Sequence, residues 1–318
     1  MAGSDTKLGP ALWKWWYDME LCNVQQMKAL LEANGFHFSK AKGQNFLTAA
    51  WVPQRIAEEA GVDREAGVLE VGPGIGPLTE QLCLRAGKVL AVELDRRLEP
   101  ILVKTVGHFE NLALRFDDVM QLDLAETVRK AFPGLRPMAC ANLPYYITSP
   151  ILTRLLEARC FDSVTVMIQK EVAQRICAAP GSGDGSAFTI FCHWYAEPQI
   201  LFDVPPSCFL PQPKVTSTVI MLKTRPAPPC PVQDEAIFFR VVRAAFGQRR
   251  KTLSNALSSG FPALGKAGVN RVLEACGLPA TVRGEALTIE QFAAIANEMA
   301  GGKTDPSTPL RSAQDDRQ

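Results

Sequence analysis

Histidine is scarce in this chain of 318 residues, with three copies, and its nine cysteines are scattered with no Cys-x-x-Cys pair among them. A zinc site or a redox pair needs such ligands close together, so no metal and no disulfide framework is expected. An odd cysteine count without pairing fits a reducing compartment, and Cys83, Cys140 and Cys192 lie in apolar stretches as small buried hydrophobes. No apolar run reaches the roughly 20 residues that a membrane helix needs, so no membrane partner is expected. The N-terminus carries Asp5, Asp18 and Glu20 without a hydrophobic signal core. No targeting segment is therefore expected, and the expected location is cytoplasmic. Positive charge is also nearly balanced, at a net +1. A nucleic-acid partner would then have to be held by local patches, not by the overall field.

What is present is a chain with 47% hydrophobic and 21% charged residues, the balance of a globular protein with one large domain and an appendage. Its most informative run is Asn142-Leu143-Pro144-Tyr145-Tyr146. These residue types suit the handling of an exocyclic amino group on a base. The amino nitrogen of adenine is a poor nucleophile because its lone pair is delocalised into the ring. Two acceptors, the Asn142 side-chain oxygen and the Leu143 carbonyl, would take both N–H groups and free that lone pair. Pro144 would stiffen the turn and hold Leu143 extended. Tyr145 would give a flipped base a flat face to stack on.

Upstream, the apolar run Val68 to Val71 meets Gly72, Gly74 and Gly76, and a helix-like stretch from Leu78 to Leu84 follows. This is the strand, loop and helix opening of a nucleotide-binding α/β unit. The spacing is Gly-x-Gly-x-Gly, not the Gly-x-Gly-x-x-Gly of dinucleotide enzymes, and the Lys-Ser/Thr of a P-loop is missing. A second strand, Val89 to Val92, ends in Glu93, placed to accept bonds from ribose hydroxyls. A third, Leu112 to Phe116, ends in Asp117-Asp118, where a carboxylate can meet an adenine amino group. Acidic strand ends repel phosphates but tolerate a sulfonium and an ammonium. S-adenosylmethionine is therefore the expected cofactor, with NAD as the runner-up.

Several motifs stand in a fixed order: Lys42-Gly43-Gln44-Asn45-Phe46-Leu47, Glu70-Val71-Gly72-Pro73-Gly74, Asn142 to Ile147, Gln169-Lys170-Glu171-Val172, Val204-Pro205-Pro206, Phe209 to Val215, and Ala245 to Leu253. In these the chain resembles the ribosomal RNA adenine N6-dimethyltransferase family, over roughly residues 24–300, and most nearly its small-subunit branch. The resemblance implies a class I S-adenosylmethionine-dependent methyltransferase: an α/β, Rossmann-like sheet with a small C-terminal helical domain. It implies dimethylation at N6 of two adjacent adenines in the 3′-terminal hairpin of 16S rRNA, in the immature small ribosomal subunit, by a monomer. By the same resemblance Asn45, Leu47, Gly72, Gly74, Glu93, Asp118 and Asn142 would contact the cofactor. Asn142, Leu143, Pro144 and Tyr145 would handle the adenine, and Phe209 would close the other side of the stack. Two stretches depart from the family pattern. Gly185 to Ile190 replaces a glycine-rich turn leading into a Leu-Ser-Val strand, and Thr216 stands where Asp is usual. Both changes are expected to touch the target-side loop.

The chain divides by its punctuation into a leader and helix (1–39), a catalytic domain (40–225), a Pro-rich linker (226–234), a helical RNA-binding domain (235–300) and a polar, disordered tail (301–318). Residues 24–34 read as an amphipathic helix with Val24, Met27, Leu30 and Leu31 on one face, ending at Gly35. Ahead of it, Trp13, Trp15, Trp16 and Tyr17 form an aromatic cluster of open purpose. Lys40 and Lys42 near the start, and Arg240, Arg243, Arg249, Arg250 and Lys251 in a helical stretch, are the candidate RNA contacts. Two alternative functions remain at this point. One is a 23S rRNA adenine methyltransferase of the macrolide-resistance type, disfavoured by Leu143, where that group commonly has Ile, and by the match from Phe246 to Leu253. The other is a ribosome assembly factor acting mainly by binding.

Overall fold

The computed structural model describes residues 19–36, 45–248 and 250–301. The Trp13–Tyr17 cluster, Lys40, Lys42, Arg249 and the tail beyond residue 301 lie outside them.

Helix α1 (Val24–Ala33) starts where the Asn23 side chain accepts from the Gln25 and Gln26 amides, and stops before Gly35, whose φ of +62° suits a left-handed cap. Met27, Leu30 and Leu31 are buried. Val24, expected on the same face, is 37% exposed, because it sits at the open first turn. Next come β1 (Phe46–Leu47), α2 (Trp51–Glu59), β2 (Ala66–Val71), α3 (Pro77–Arg85), β3 (Lys88–Glu93), α4 (Glu99–Thr105) and β4 (Leu112–Phe116). The second half of the sheet is supplied by β5 (Arg136–Asn142), after α5 (Leu124–Ala131), and by β6 (Ser163–Gln169), after α6 (Thr148–Glu157).

After α7 (Lys170–Cys177) and α8 (Ala187–Tyr195) the chain returns as β7 (Ala196–Val204), β8 (Phe209–Leu210) and β9 (Ser217–Thr224). The seven-stranded sheet has the order β4-β3-β2-β5-β6-β9-β7. Strands β2 to β6 run parallel, while β9 lies antiparallel between β6 and β7. Short β1 and β8 pair antiparallel in a sheet of their own.

Buried residues of α2 and α3, among them Val52, Ile56, Leu78 and Leu82, form one apolar cluster with Val68, Val89, Met138 and Cys140 of the sheet. Met27, Leu30 and Leu31 of α1 form a second with Ile101 and Leu102 of α4. Each fully buried Leu or Ile contributes about 1.5–3 kcal/mol, so these two clusters fix the helices against the strands whose ends carry the site.

Helices α9 (Glu235–Gly247), α10 (Leu253–Gly260), α11 (Gly265–Ala275) and α12 (Ile289–Gly301) complete the chain. By its contacts the chain falls into two compact units. One contains Met1–Cys177 with Tyr195–Pro226, and the other contains Ala178–Trp194 with Ala227–Gln318, each within its described residues. Ala178–Trp194 thus joins the C-terminal helices instead of the catalytic domain to which its sequence position assigned it. The reason is aromatic: Trp194 stacks on Phe238 at 4.2 Å and Phe191 meets Phe239 at 5.7 Å. From Ala187 the stretch is a helix, opened by Ser186 and Thr189, which cap each other reciprocally.

Candidate active site

The chain runs from β2 outward to β4, then returns to place β5 on the other side of β2. Open parallel sheets bind ligands where the order reverses, at the carboxyl ends of the two strands. Here those ends are Gly72 and Asn142, and both line a cleft of about 1220 Å³ that includes its open mouth.

The glycine loop is shaped by its main chain. Gly72, Gly74 and Gly76 have φ of +71°, +64° and +100°, a region costly for residues with a Cβ. The Gly72 amide donates to Val92 O (2.9 Å) and the Gly76 amide to Pro73 O (3.0 Å). A Cβ at Gly72 would meet no heavy atom within 4 Å, so the backbone is bare towards the cleft. A Cβ at Gly74 would press the Phe46 ring at 3.1 Å, so the loop lies against β1.

Glu93 ends β3 and is 8% exposed. Its Oε2 accepts from the Gly74 amide (3.2 Å) and its Oε1 from the Asp95 amide (2.8 Å), which ties the loop to the next strand. Burial raises the Glu93 carboxyl above the usual range, and the two amides pull against that rise. Asp118 accepts from the Met120 amide (2.9 Å), capping a short 3-10 turn after β4. Its neighbour Asp117 is paired with Arg115 at 2.7 Å, and that bond lowers its pKa.

Glu70, one residue before the end of β2, is 1% exposed and shares the helix α3 side of the sheet with Thr79 and Cys140. Burial pushes its carboxyl up to about 8. The Thr79 hydroxyl acts against that rise without closing a geometric hydrogen bond, and Glu93 adds to it. Among the described residues, Glu70 Oε2 has no hydrogen-bond partner.

Five acids line the cleft, namely Glu70, Glu93, Asp95, Asp117 and Asp118, while no Lys, Arg or His among the described residues does so. This donor set fits S-adenosylmethionine. Carboxylates can accept from ribose hydroxyls, an adenine amino group and an ammonium, and they suit a sulfonium. They do not suit phosphates, so the residues fit a dinucleotide poorly.

On the other rim, Asn142 ends β5, and the Leu143 amide donates to Met167 O (3.2 Å). Pro144, at φ −59° and ψ 132°, turns the chain into a 3-10 turn, Tyr145–Ile147. The Tyr145 hydroxyl shares a hydrogen bond with Ser217 Oγ at 2.7 Å, and burial raises its pKa. Phe209 is 3% exposed, lines the same cleft, and pairs across β1 with Leu47. The Leu210–Pro211 peptide just after it is cis.

The structure thus gathers around one cleft every cofactor-side and base-side candidate: Asn45, Leu47, Gly72, Gly74, Glu93, Asp118, Asn142, Leu143, Pro144, Tyr145 and Phe209. The basic candidates differ. Arg250 and Lys251 are exposed in the other unit, in a turn between α9 and α10 instead of the expected helical stretch. The helix stops at Gly247, and Thr252 is already extended at φ −66° and ψ 156°. Arg240 on α9 is spent internally, over the Phe261 ring at 4.5 Å and on Gly260 O at 2.9 Å. Sequence reasoning missed the burial of Glu70 and the bond from Ser217. The first was visible only as a motif letter, and the second joins residues too distant in the chain for any spacing rule.

Comparison with known proteins fits this geometry. The ribosomal RNA adenine dimethylase family profile matches residues 35–300. Ribosomal RNA small subunit methyltransferase A of Alkaliphilus oremlandii is 45% identical over 88% of this chain and 98% of its own length. The protein of the same name from Geobacillus kaustophilus is 44% identical over 88% and 97%. Among solved structures, a dimethyladenosine transferase from Plasmodium falciparum superposes with TM-score 0.66 at 24% identity, covering 78% of this chain and 95% of that one. The 23S rRNA methyltransferase ErmE gives 0.61 at 25% identity, covering 80% and 100%. The fold is that of class I methyltransferases, and the chain belongs to the ribosomal RNA adenine dimethylase family.

Proposed function

We propose that this chain dimethylates N6 of two adjacent adenines in the 3′-terminal hairpin of 16S rRNA. The observation that carries this reading is the pairing, across one strand reversal, of a cleft whose charged residues are all acidic with an Asn-Leu-Pro-Tyr rim. The relatives named for the small-subunit activity match this chain over nearly their full length, which favours 16S over 23S rRNA as substrate. The methyl donor is S-adenosylmethionine, which when bound supplies an electrophilic methyl on a sulfonium.

The chain's own residues do the rest. Glu93 and Asp118 would hold the ribose and adenine of the donor, and the Gly72 backbone would leave room for it. Asn142 Oδ1 and the Leu143 carbonyl accept the two amino hydrogens of the target adenine and localise the nitrogen lone pair. Tyr145 and Phe209 stack on the base and exclude water. No strong base is required, because the proton becomes acidic once the nitrogen is alkylated. Positioning then supplies most of the rate.

The unit with α9 to α12 grips RNA through Arg250 and Lys251 in this reading. We further propose a monomer, since one chain supplies the whole cleft, acting in the cytoplasm on the immature small subunit. None of the described helices is long and apolar enough to cross a membrane.

The test is to map modified adenines after incubating the protein and donor with unmethylated 16S and 23S rRNA. Dimethyladenines at two neighbouring 16S positions are expected. Modification confined to 23S rRNA would overturn the reading. Cosedimentation of an inactive variant with immature small subunits tests the assembly role.

A further inference from the structure

The turn that carries Tyr145 has little packing to hold it. In the turn Tyr145–Ile147 no residue is buried, and Tyr146 is 62% exposed. A side chain in such a turn changes its χ1 rotamer at little cost unless something fixes it. The something is in the sheet. Ser217 opens β9, is fully buried, and is held by ladders on both sides, opposite Gln169 of β6 and Val204 of β7. Its hydroxyl meets the Tyr145 hydroxyl at 2.7 Å. A buried hydroxyl needs a partner, so this bond satisfies Ser217 while it anchors the far end of the ring.

We propose that Ser217 is a positioning residue for methyl transfer, which holds the Tyr145 ring in one χ1 rotamer so that a flipped base meets a preformed stacking face. This rests on the reading of Tyr145 as the stacking platform. Ser217 touches neither donor nor base, and acts only through Tyr145.

Fluorine NMR of the full chain labelled with 3-fluorotyrosine tests this without any substrate. Four tyrosines give a readable spectrum, and Tyr145→Phe assigns the resonance. The fluorine shift reports the surroundings of the ring, so a ring held in one χ1 rotamer differs in shift from one that moves between rotamers. A Tyr145 resonance displaced from the free-tyrosine shift is expected in the native chain, and one collapsed towards that shift in Ser217→Ala. An unchanged spectrum would overturn the proposal.

In single turnover at saturating donor and rRNA, Ser217→Ala and Tyr145→Phe should each slow transfer about three- to tenfold, the worth of one neutral hydrogen bond. The double variant should be no slower than the slower single one, with donor affinity unchanged. Additive losses, or a Tyr145→Phe rate equal to native, would also overturn it. Tyr145→Phe breaks the same bond from the half-exposed side, so the rate test survives if Ser217→Ala folds poorly. An inactive native chain would count against the proposed rRNA function and leave the fluorine result to stand alone.

Discussion

The two rims of the cleft are held by different means. After β2, three glycines take positive φ, and their amides bond to Val92 O, Glu93 Oε2 and Pro73 O. After β5, the Leu143 amide bonds Met167 O, but the turn Tyr145–Ile147 that follows buries no side chain, and its Tyr145 ring is held by a hydroxyl pair with Ser217. Main-chain anchoring leaves the glycine rim little freedom to vary, because each φ is one that only glycine adopts cheaply. Side-chain anchoring leaves the base rim adjustable one residue at a time. A fixed donor site beside an adjustable acceptor site is what a chain needs when one cofactor serves a particular nucleic acid.

The sharpest break in this contrast is on the base rim. Asn142→Ala removes the side-chain acceptor and should lower the single-turnover rate about 10²–10³-fold, the usual loss for one preorganised polar group at a reacting centre. Thermal unfolding should stay near native, since Asn142 is only half-buried.

On the glycine rim the loss should appear as stability. Gly76 has φ +100°, and a Cβ there would lie 2.7 Å from Val106 Cγ1. Gly76→Ala should cost about 1–3 kcal/mol in denaturant unfolding, from the strained φ and the contact together.

Glu93→Gln cuts across the two effects. It takes away one of the acceptors that serve Gly74 and Asp95, and should weaken donor binding about tenfold by calorimetry, the worth of a charged hydrogen bond.

The last effect concerns pH. Glu70 has a folded pKa of about 8 against 4.5 for an ordinary glutamate, so the fold prefers its neutral form. The stability it contributes is complete below about pH 4.5 and is lost as pH rises towards 8. The melting temperature of the native chain should therefore fall relative to Glu70→Gln between pH 5 and pH 8, with the gap closing in acid.

Much of this contrast was legible in the sequence. Four of the parallel strands, β2 to β5, announced themselves because each is a short, mainly apolar run that stops at Gly72, Glu93, Asp117 or Asn142, where the polarity changes abruptly. The glycine rim was legible for the same reason that it is rigid: glycine spacing encodes backbone conformation directly. The base rim was legible only in its residue types. Its anchor, Ser217, lies on a strand that returns late in the chain, and nothing local links it to Tyr145.

Ala178–Trp194 was assigned to the catalytic domain because it precedes the Pro-rich linker, and nothing local in the sequence announces the packing of Phe191 and Trp194 on Phe238 and Phe239. Arg250 and Lys251 were placed on a helix because α9 and α10 flank them closely. The break after Gly247 has no proline to mark it.

The division of labour between the rims is tested most directly by Tyr145→Ala, with donor affinity and single-turnover rate on 16S rRNA measured on one preparation. The rate should fall about ten- to a hundredfold, since stacking on one base is worth about 1–3 kcal/mol, while the donor Kd stays within about twofold of native. A donor Kd that rises in step with the loss of rate would contradict the account.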